Sequence, residues 1–338
     1  MPNWRSYLHG DATDWLLESD NPSVRYSTLV DLLDKPKASA EVQAARAGIM
    51  QDGPVPRILA KQQPGGYWGV AGDFYIRSKY KGTVWSLILL AELAADGADE
   101  RIRKAGKFIL TYTQDRESGG FSYRGTAEEG GDHTRILPCL TGNMVWCLLQ
   151  FGFLEDPRVQ QGIDWICRYQ RFDDGDGEAA AGWPYNKFPQ CWGKHTCHMG
   201  IVKALKALAA IPPAHRNKEV RATIVRGAEY LIRHHIFKQS HDLQQVSKPQ
   251  WVQFGFPLMW NTDVLEILDI LTSLGYRDDR MQEAIDLVVA KQTPEGRWKL
   301  EANFTGRMQV NLERKGQPSK WVTFHAYQVL KRYYSKNT

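Results

Sequence analysis

The sequence predicts an all-α protein built from helical hairpins, and two repeated patterns support this prediction. In the first pattern, a glutamine follows an apolar helical segment and precedes a glycine and an aromatic residue. Its position is taken by Gln62, Gln114, Gln170, His235 and Gln292, at intervals of 52, 56, 65 and 57 residues. Each interval is long enough for two helices, and no segment shows a convincing strand pattern.

The copies of the first pattern predict the helix that ends each hairpin unit and the turn after it. They span residues 57–68, 109–121, 165–183, 230–237 and 287–298. The glutamine can bond carbonyl groups left free at a helix end, glycine permits a left-handed turn, and the aromatic ring fixes the turn onto its neighbour.

The second pattern predicts the other helix of each unit. Apolar residues recur at i, i+3 and i+4 in six segments: 23–34, 83–97, 141–154, 196–212, 262–275 and 322–334. Proline and glycine cluster only between hairpins, so we expect one domain over residues 1–338, with repeats from about 20 to 334.

Composition narrows the class of protein. With 43% hydrophobic residues among 338 and a net charge of +5, the chain can form a large core and shows no block of like charges that favours nucleic acid. We find neither a signal-peptide pattern nor a transmembrane segment, and therefore expect a soluble, cytoplasmic protein. Five cysteines, an odd number, argue against a disulfide framework.

The glutamine, glycine and tryptophan repeat with six hairpins resembles the terpenoid-cyclase and protein-prenyltransferase superfamily over essentially the whole chain. That resemblance implies an α/α toroid, in which an inner and an outer ring of helices surround a cavity that opens where the inner helices begin. It also implies an apolar or isoprenoid-like small-molecule substrate. Function lies in the site placed on the fold, so the inner-helix entrances are the regions to inspect.

Two adjacent entrances carry cysteine and histidine, which suggests a zinc site. Cys139 comes from one entrance and Cys191, His195 and Cys197 from the next, and these four are the predicted ligands. His198 at the second entrance is an alternative ligand, and the sequence does not decide which of Cys191, Cys197 and His198 complete the site. His195-Thr196-Cys197 is similar to the zinc-binding His-Thr-Cys of prenyltransferase β subunits, although Leu137 stands where those enzymes have a ligand aspartate. Buried thiols beside a capping histidine, without metal, are the alternative.

These two entrances and the last two inner helices supply candidates for catalysis and substrate binding. Asp132 and His133 are predicted to carry out general acid/base chemistry. The expected substrate-binding residues are cations for a diphosphate, aromatic side chains and polar groups near the last inner helices: Arg135, Lys194, Tyr185, Trp260, Asp263 and His325. For Asp263 and its neighbours, capping of the following helix is the alternative.

These observations predict a zinc-dependent toroid enzyme, a transferase or a lyase/cyclase, that acts on an apolar or isoprenoid-like small molecule. Two other functions fit the sequence. One is zinc-dependent thiol addition or elimination of the lanthipeptide-cyclase type. The other is a non-catalytic toroid that binds a lipid or peptide. The sequence does not set the oligomeric state.

Overall fold

Six helices form the inner ring of the protein, as the apolar segments predicted. The computed structural model describes residues 4–335. The inner helices are α2 (Pro22–Ser27, extended by a π-helical turn over Thr28–Leu32), α5 (Thr83–Glu92), α7 (Pro138–Gln150), α10 (His198–Ala209), α12 (Val264–Ser273) and α14 (Lys320–Tyr334). From α5 to α14 each packs on the next, and α14 also packs on α2. The Ser23 hydroxyl of α2 donates to the Leu93 carbonyl at the end of α5, at 2.7 Å, so the inner helices form a ring.

The remaining helices lie outside this ring and complete the hairpins. They are α3 (Ala40–Gln51) with α4 (Pro54–Leu59), α6 (Glu100–Tyr112), α8 (Pro157–Tyr169), α11 (Lys218–Arg233) and α13 (Gln282–Ala290). The outer helices α6, α8 and α11 are amphipathic and bury one stripe, whereas α5 and α7 are buried nearly all round. The α/α toroid with two rings is therefore confirmed.

The glutamines of the repeat join one hairpin to the next. The Gln62 side-chain amide donates to the carbonyl of Arg101 in the first turn of α6, at 2.9 Å. Gln114 makes the same bond to Arg158 in the first turn of α8, at 2.6 Å. Gln170 departs from the pattern, since its amide donates to the carbonyl of its neighbour Arg171.

In three hairpins, a threonine near the start of the inner helix accepts a hydrogen bond from a backbone N–H group of the preceding turn. The Thr83 hydroxyl accepts a hydrogen bond from the Trp68 backbone N–H at 3.1 Å, and Thr323 accepts from Trp298 at 3.0 Å. Thr141 accepts from the Phe121 N–H at 2.9 Å. These bonds fix each turn to the inner helix that follows it, and each satisfies a buried N–H group.

The N-terminal segment closes the outer ring of helices. The last repeat glutamine, Gln292, donates to the Tyr7 carbonyl at 2.9 Å and accepts from the His9 N–H at 3.0 Å. The Tyr327 hydroxyl of α14 accepts from the Ala12 N–H at 2.8 Å. Residues 4–16, including the short helix α1 (Thr13–Leu16), therefore take the place of an outer helix beside α14.

Two small antiparallel sheets correct the expectation that the chain has no strands. Strand β1 (Gly125–Thr126) pairs with β2 (Gly130–Gly131), and β3 (Lys238–Gln239) pairs with β4 (Asp242–Val246). Both are hairpins in connections between an outer and an inner helix. Within residues 4–335, no helix is long and apolar enough to cross a membrane.

Candidate active site in the central cavity

A cavity of about 330 Å³ lies inside the inner ring, and residues of all six inner helices line it. The lining residues on α5, α7 and α10 lie in the C-terminal halves of those helices. The resemblance placed the cavity at the N-terminal entrances, and that expectation needs correction. The N-terminal ends of α12 and α14 do contribute, through Asp263 and Trp321.

Four charged side chains, two buried and two partly buried, form a chain of ion pairs between the inner helices α5, α10 and α12. The Lys203 ammonium contacts both carboxylate oxygens of Glu266 at 2.7 Å. Lys206 lies between Glu266, at 3.1 Å, and Glu92, at 2.6 Å. Burial lowers the pKa of Lys206, but the two carboxylates outweigh it and raise that pKa above its ordinary value. The alternating charges compensate one another where water is scarce.

A second charged group lies between α12 and α14. Asp269 contacts the Arg332 guanidinium at 2.6 Å and the His325 Nδ1 at 3.6 Å. Burial raises the pKa of Asp269, but Arg332 and then His325 outweigh it and hold that pKa at about 2. Burial lowers the pKa of His325, yet contact with the Asp269 carboxylate raises it above its ordinary value. His325 Nε2 has no partner among the described residues.

Asp263 combines a capping role with a place in the cavity wall. Its two oxygens accept from the backbone N–H groups of Glu266, at 2.8 Å, and Gly255, at 2.9 Å. It therefore caps α12, as the structural alternative proposed, and it also lines the cavity. Burial raises its pKa to about 7.

Aromatic rings form the apolar part of the wall. Trp321 stacks on Phe256 with 4.3 Å between ring centroids, and the His325 ring lies 6.2 Å from that of Phe256. The Lys206 ammonium sits over the Trp146 ring at 4.0 Å. The cavity thus presents π-faces beside carboxylates, a combination that favours positive charge.

Three of the four predicted zinc ligands lie in one neighbourhood. Cys139 is in the first turn of α7, Cys191 is in the short helix α9 (Pro189–Trp192), and Cys197 caps α10. Burial, followed by the neighbouring Cys197 thiol, raises the pKa of Cys139 to about 12. Burial and the other two thiols likewise raise the pKa of Cys191.

The fourth predicted ligand, His195, does not join the thiols. Its side chain is 62% exposed and contacts Asp174, with 3.6 Å between Nδ1 and Oδ1. Within residues 4–335, no group of three or more His, Cys, Asp or Glu side chains is arranged to hold a metal ion. The predicted set does not fit zinc as it stands here, so zinc binding stays a prediction and carries no step below.

The predicted acid/base residues lie outside the central cavity. His133 Nδ1 contacts the buried Asp115 carboxylate at 2.9 Å, and its ring stacks on Trp183. His133 and Trp183 line a separate cleft against α8. Asp132 accepts hydrogen bonds from the backbone and hydroxyl of Thr134 in a local turn. Neither residue lines the cavity that holds His325.

The predicted substrate-binding residues divide between two regions. Asp263 and His325 line the central cavity. Trp260 lines a second cavity and donates its indole N–H to the Tyr80 hydroxyl at 3.2 Å. Arg135 and Lys194 are exposed, and Tyr185 lies beside Arg171 and Trp192. Arg135, Lys194 and Tyr185 line neither of these two cavities.

Sequence reasoning missed the charged residues on the inner helices, namely Glu92, Lys203, Lys206, Glu266, Asp269 and Arg332. A signal was available, because charged residues recur three apart in the apolar runs IVKALKALA and VLEILDIL. Charges in a fully buried helix need partners, and a spacing of three places them on one face.

No family model and no curated protein matches this chain. Among solved structures it is similar to a protein from Actinoplanes, with 16% identity, a TM-score of 0.43 and coverage of 93% of this chain and 90% of that one. A type II terpene cyclase from Scytonema, in complex with geranylgeranyl dihydroxybenzoate, has 15% identity, a TM-score of 0.43 and coverage of 93% and 87%.

A cellobiose 2-epimerase from Bacillus thermoamylovorans has 12% identity and a TM-score of 0.46, over 72% of this chain and 70% of its own. The similar structures thus include a terpene cyclase, the class that the sequence repeat resembles. Identities and TM-scores of this size assign no substrate or reaction to this protein.

Proposed function

We propose that this protein is an enzyme that transfers a proton to or from a small, partly apolar molecule in the central cavity, with His325 as the acid/base residue. The observation that supports it is the position of His325 inside the ring of helices. One imidazole nitrogen faces Asp269, and the other has no partner among residues 4–335. An imidazole held in this way can accept and return a proton.

The residues around His325 keep its ring in position. Asp269 fixes the side of the ring that carries Nδ1, and Arg332 in turn holds Asp269. Trp321 and Phe256 pack nearby and form an apolar wall. This arrangement leaves Nε2 for the substrate, in the way that a carboxylate orients a catalytic histidine.

The charges of the cavity favour a lyase or cyclase reaction over transfer from a prenyl diphosphate. Five acidic residues line the cavity, namely Asp31, Glu92, Asp263, Glu266 and Asp269, against three basic residues, Lys206, His325 and Arg332. Lys206 and Arg332 are already paired with carboxylates. A diphosphate would have to displace those pairs, whereas a developing cation would be stabilised.

The aromatic walls support the isoprenoid-like class of substrate that the sequence resemblance implies. Trp146, Trp321 and Phe256 can contact a hydrocarbon body while the charged groups bind a polar end. We therefore propose an isoprenoid that carries a hydroxyl or another uncharged polar group.

The test compares turnover of geraniol, farnesol, geranylgeraniol and their diphosphates, with products identified by mass spectrometry. His325→Gln is expected to lower turnover of an accepted alcohol by at least about 100-fold, because it removes the acid/base group. The matched control is His215→Gln, at an exposed histidine on the outer surface. Full activity of His325→Gln, or turnover confined to diphosphates with release of inorganic diphosphate, would contradict the proposal.

A further inference from the structure

A second cavity, of about 350 Å³, lies next to the central one. Its wall includes Trp251, Trp260 and Phe304 from connections outside the inner helices, and Met199 from the first turn of α10. It therefore lies near the N-terminal ends of α10 and α12, the end of the ring where the sequence placed the active cavity.

One stretch of backbone separates the two cavities. Gly255 and Phe256 line the central cavity, Pro257 and Trp260 line the second, and Leu258 lines both. We call residues 255–260 the partition. At Leu258 a single residue separates the two cavities, because it lines both. Leu258 is partly exposed, in contrast to the buried residues on either side of it.

The backbone of the partition is held firmly. The Gly255 N–H donates to Asp263 at 2.9 Å, and the Met259 carbonyl accepts from the Asn143 amide at 3.3 Å. Phe256 stacks on Trp321. Because the backbone is fixed at both ends, the Leu258 side chain is the part of the partition that can be removed without moving the rest.

We infer that Leu258 sets the length of substrate that this enzyme accepts, and that the second cavity receives the far end of a longer apolar chain when the Leu258 side chain is small. This inference rests on the proposed function, because it takes the ligand to be an isoprenoid alcohol. The rings of Trp251, Trp260 and Phe304 suit such a chain, and none of the lining residues among positions 4–335 is acidic. Lys248 and five uncharged polar residues complete the lining together with small and aliphatic side chains.

The test measures binding of geraniol, farnesol and geranylgeraniol, by quenching of tryptophan fluorescence, to the wild type and to Leu258→Ala. We expect the wild type to bind the shorter alcohols best and Leu258→Ala to bind geranylgeraniol at least about tenfold more tightly than the wild type does. Leu258→Val should lie between them. Met199→Ala is the control, because it enlarges only the second cavity and leaves the partition whole.

The outcomes separate this inference from the proposed function. If the wild type binds the alcohols and Leu258→Ala and Leu258→Val keep the same length preference, the inference is wrong and the proposed function stands. The inference is also wrong if Met199→Ala extends the preference as much as Leu258→Ala does. If neither the wild type nor any variant binds an alcohol, the isoprenoid substrate is wrong, and the role of Leu258 is wrong with it.

Discussion

Asp263 is a buried residue whose protonation affects the stability of this protein near neutral pH. Burial raises its pKa from 3.8 to about 7, so the folded chain binds a proton there that the unfolded chain releases. Between about pH 4 and pH 7 the folded state holds more protons than the unfolded state. The contribution of Asp263 to the free energy of unfolding therefore falls as pH rises through this range, by up to about 1.4 kcal/mol per pH unit.

Asp263→Asn should remove this pH dependence. The amide does not ionise, so the free energy of unfolding of the variant, measured by urea titration between pH 4 and pH 8, should lose that falling component. The variant will be less stable at low pH, since its amide NH2 would face one of the two N–H groups that Asp263 binds, whereas the hydroxyl oxygen of a protonated carboxyl keeps a lone pair that can accept. Equal slopes for wild type and variant would show that Asp263 ionises normally.

Single residues were the hardest part of the site to predict. Asp263 and His325 line the central cavity, and their part in substrate binding stays a prediction. His133 and His195 instead pair with Asp115 and Asp174, in contacts that lie outside the central cavity. Sequence spacing places residues at a helix entrance, but the rotation of each helix and the path of each loop decide which way a side chain faces.

At the scale of elements, α7 and α10 pack most extensively among the neighbours in the inner ring. Gly142 of α7 allows the two helix backbones to approach each other closely. A Cβ atom at Gly142 would lie 2.5 Å from the backbone carbon of Lys203. Gly142→Ala must therefore separate the two helices, at a cost of about 1–3 kcal/mol in stability. Gly48 in α3 is a matched helical glycine, where a Cβ would meet only Pro22 at 3.5 Å.

Thermal and urea unfolding of these two variants test that packing. Gly48→Ala should be neutral or stabilising by up to about 1 kcal/mol, since alanine favours a helix. A Gly142→Ala protein as stable as Gly48→Ala would mean that α7 and α10 leave room for a Cβ atom between Gly142 and Lys203, which contradicts the 2.5 Å approach.

The threonine in the first turn of α7 also fixes one element to another, because it joins the helix to the turn before it. Thr141 is fully buried, and its hydroxyl accepts from Phe121 N–H and donates to the Leu137 carbonyl. Thr141→Val leaves the Phe121 N–H without its partner, and we expect a loss of about 1–3 kcal/mol in unfolding free energy. Thr141→Ser keeps the hydroxyl and should restore most of that loss. Equal stability of the two variants would assign the effect to packing alone.

The helices could be predicted from sequence because their signals are local and repeated. The predicted segment 83–97 contains the observed helix Thr83–Glu92, and 322–334 lies within Lys320–Tyr334. The strand pair β3–β4 was missed, since Asp242–Val246 is mostly exposed and its polar residues give no alternating pattern. Short hairpins on the surface depend on backbone pairing, which composition does not reveal.

At the scale of the whole molecule, the central cavity depends on closure of the inner ring of helices. Its wall combines residues near both ends of the chain, from Ser27 on α2 to Arg332 on α14. Gln292 and Tyr327 hold the N-terminal segment against the last hairpin, which closes the outer ring at the same place. The repeat predicted six hairpins, but the charges that face the centre depend on all six helices together.

The central claim is that His325 moves a proton in this cavity, and deuterium incorporation in D₂O tests it most directly. With an accepted alcohol, the wild type should yield product that gains solvent deuterium where His325 donates the proton, or that loses one hydrogen to solvent where His325 accepts it, observed by mass spectrometry. His325→Gln should abolish that exchange, and His215→Gln should retain it. Product formed by the wild type with neither change, or equal exchange with His325→Gln, would contradict the claim.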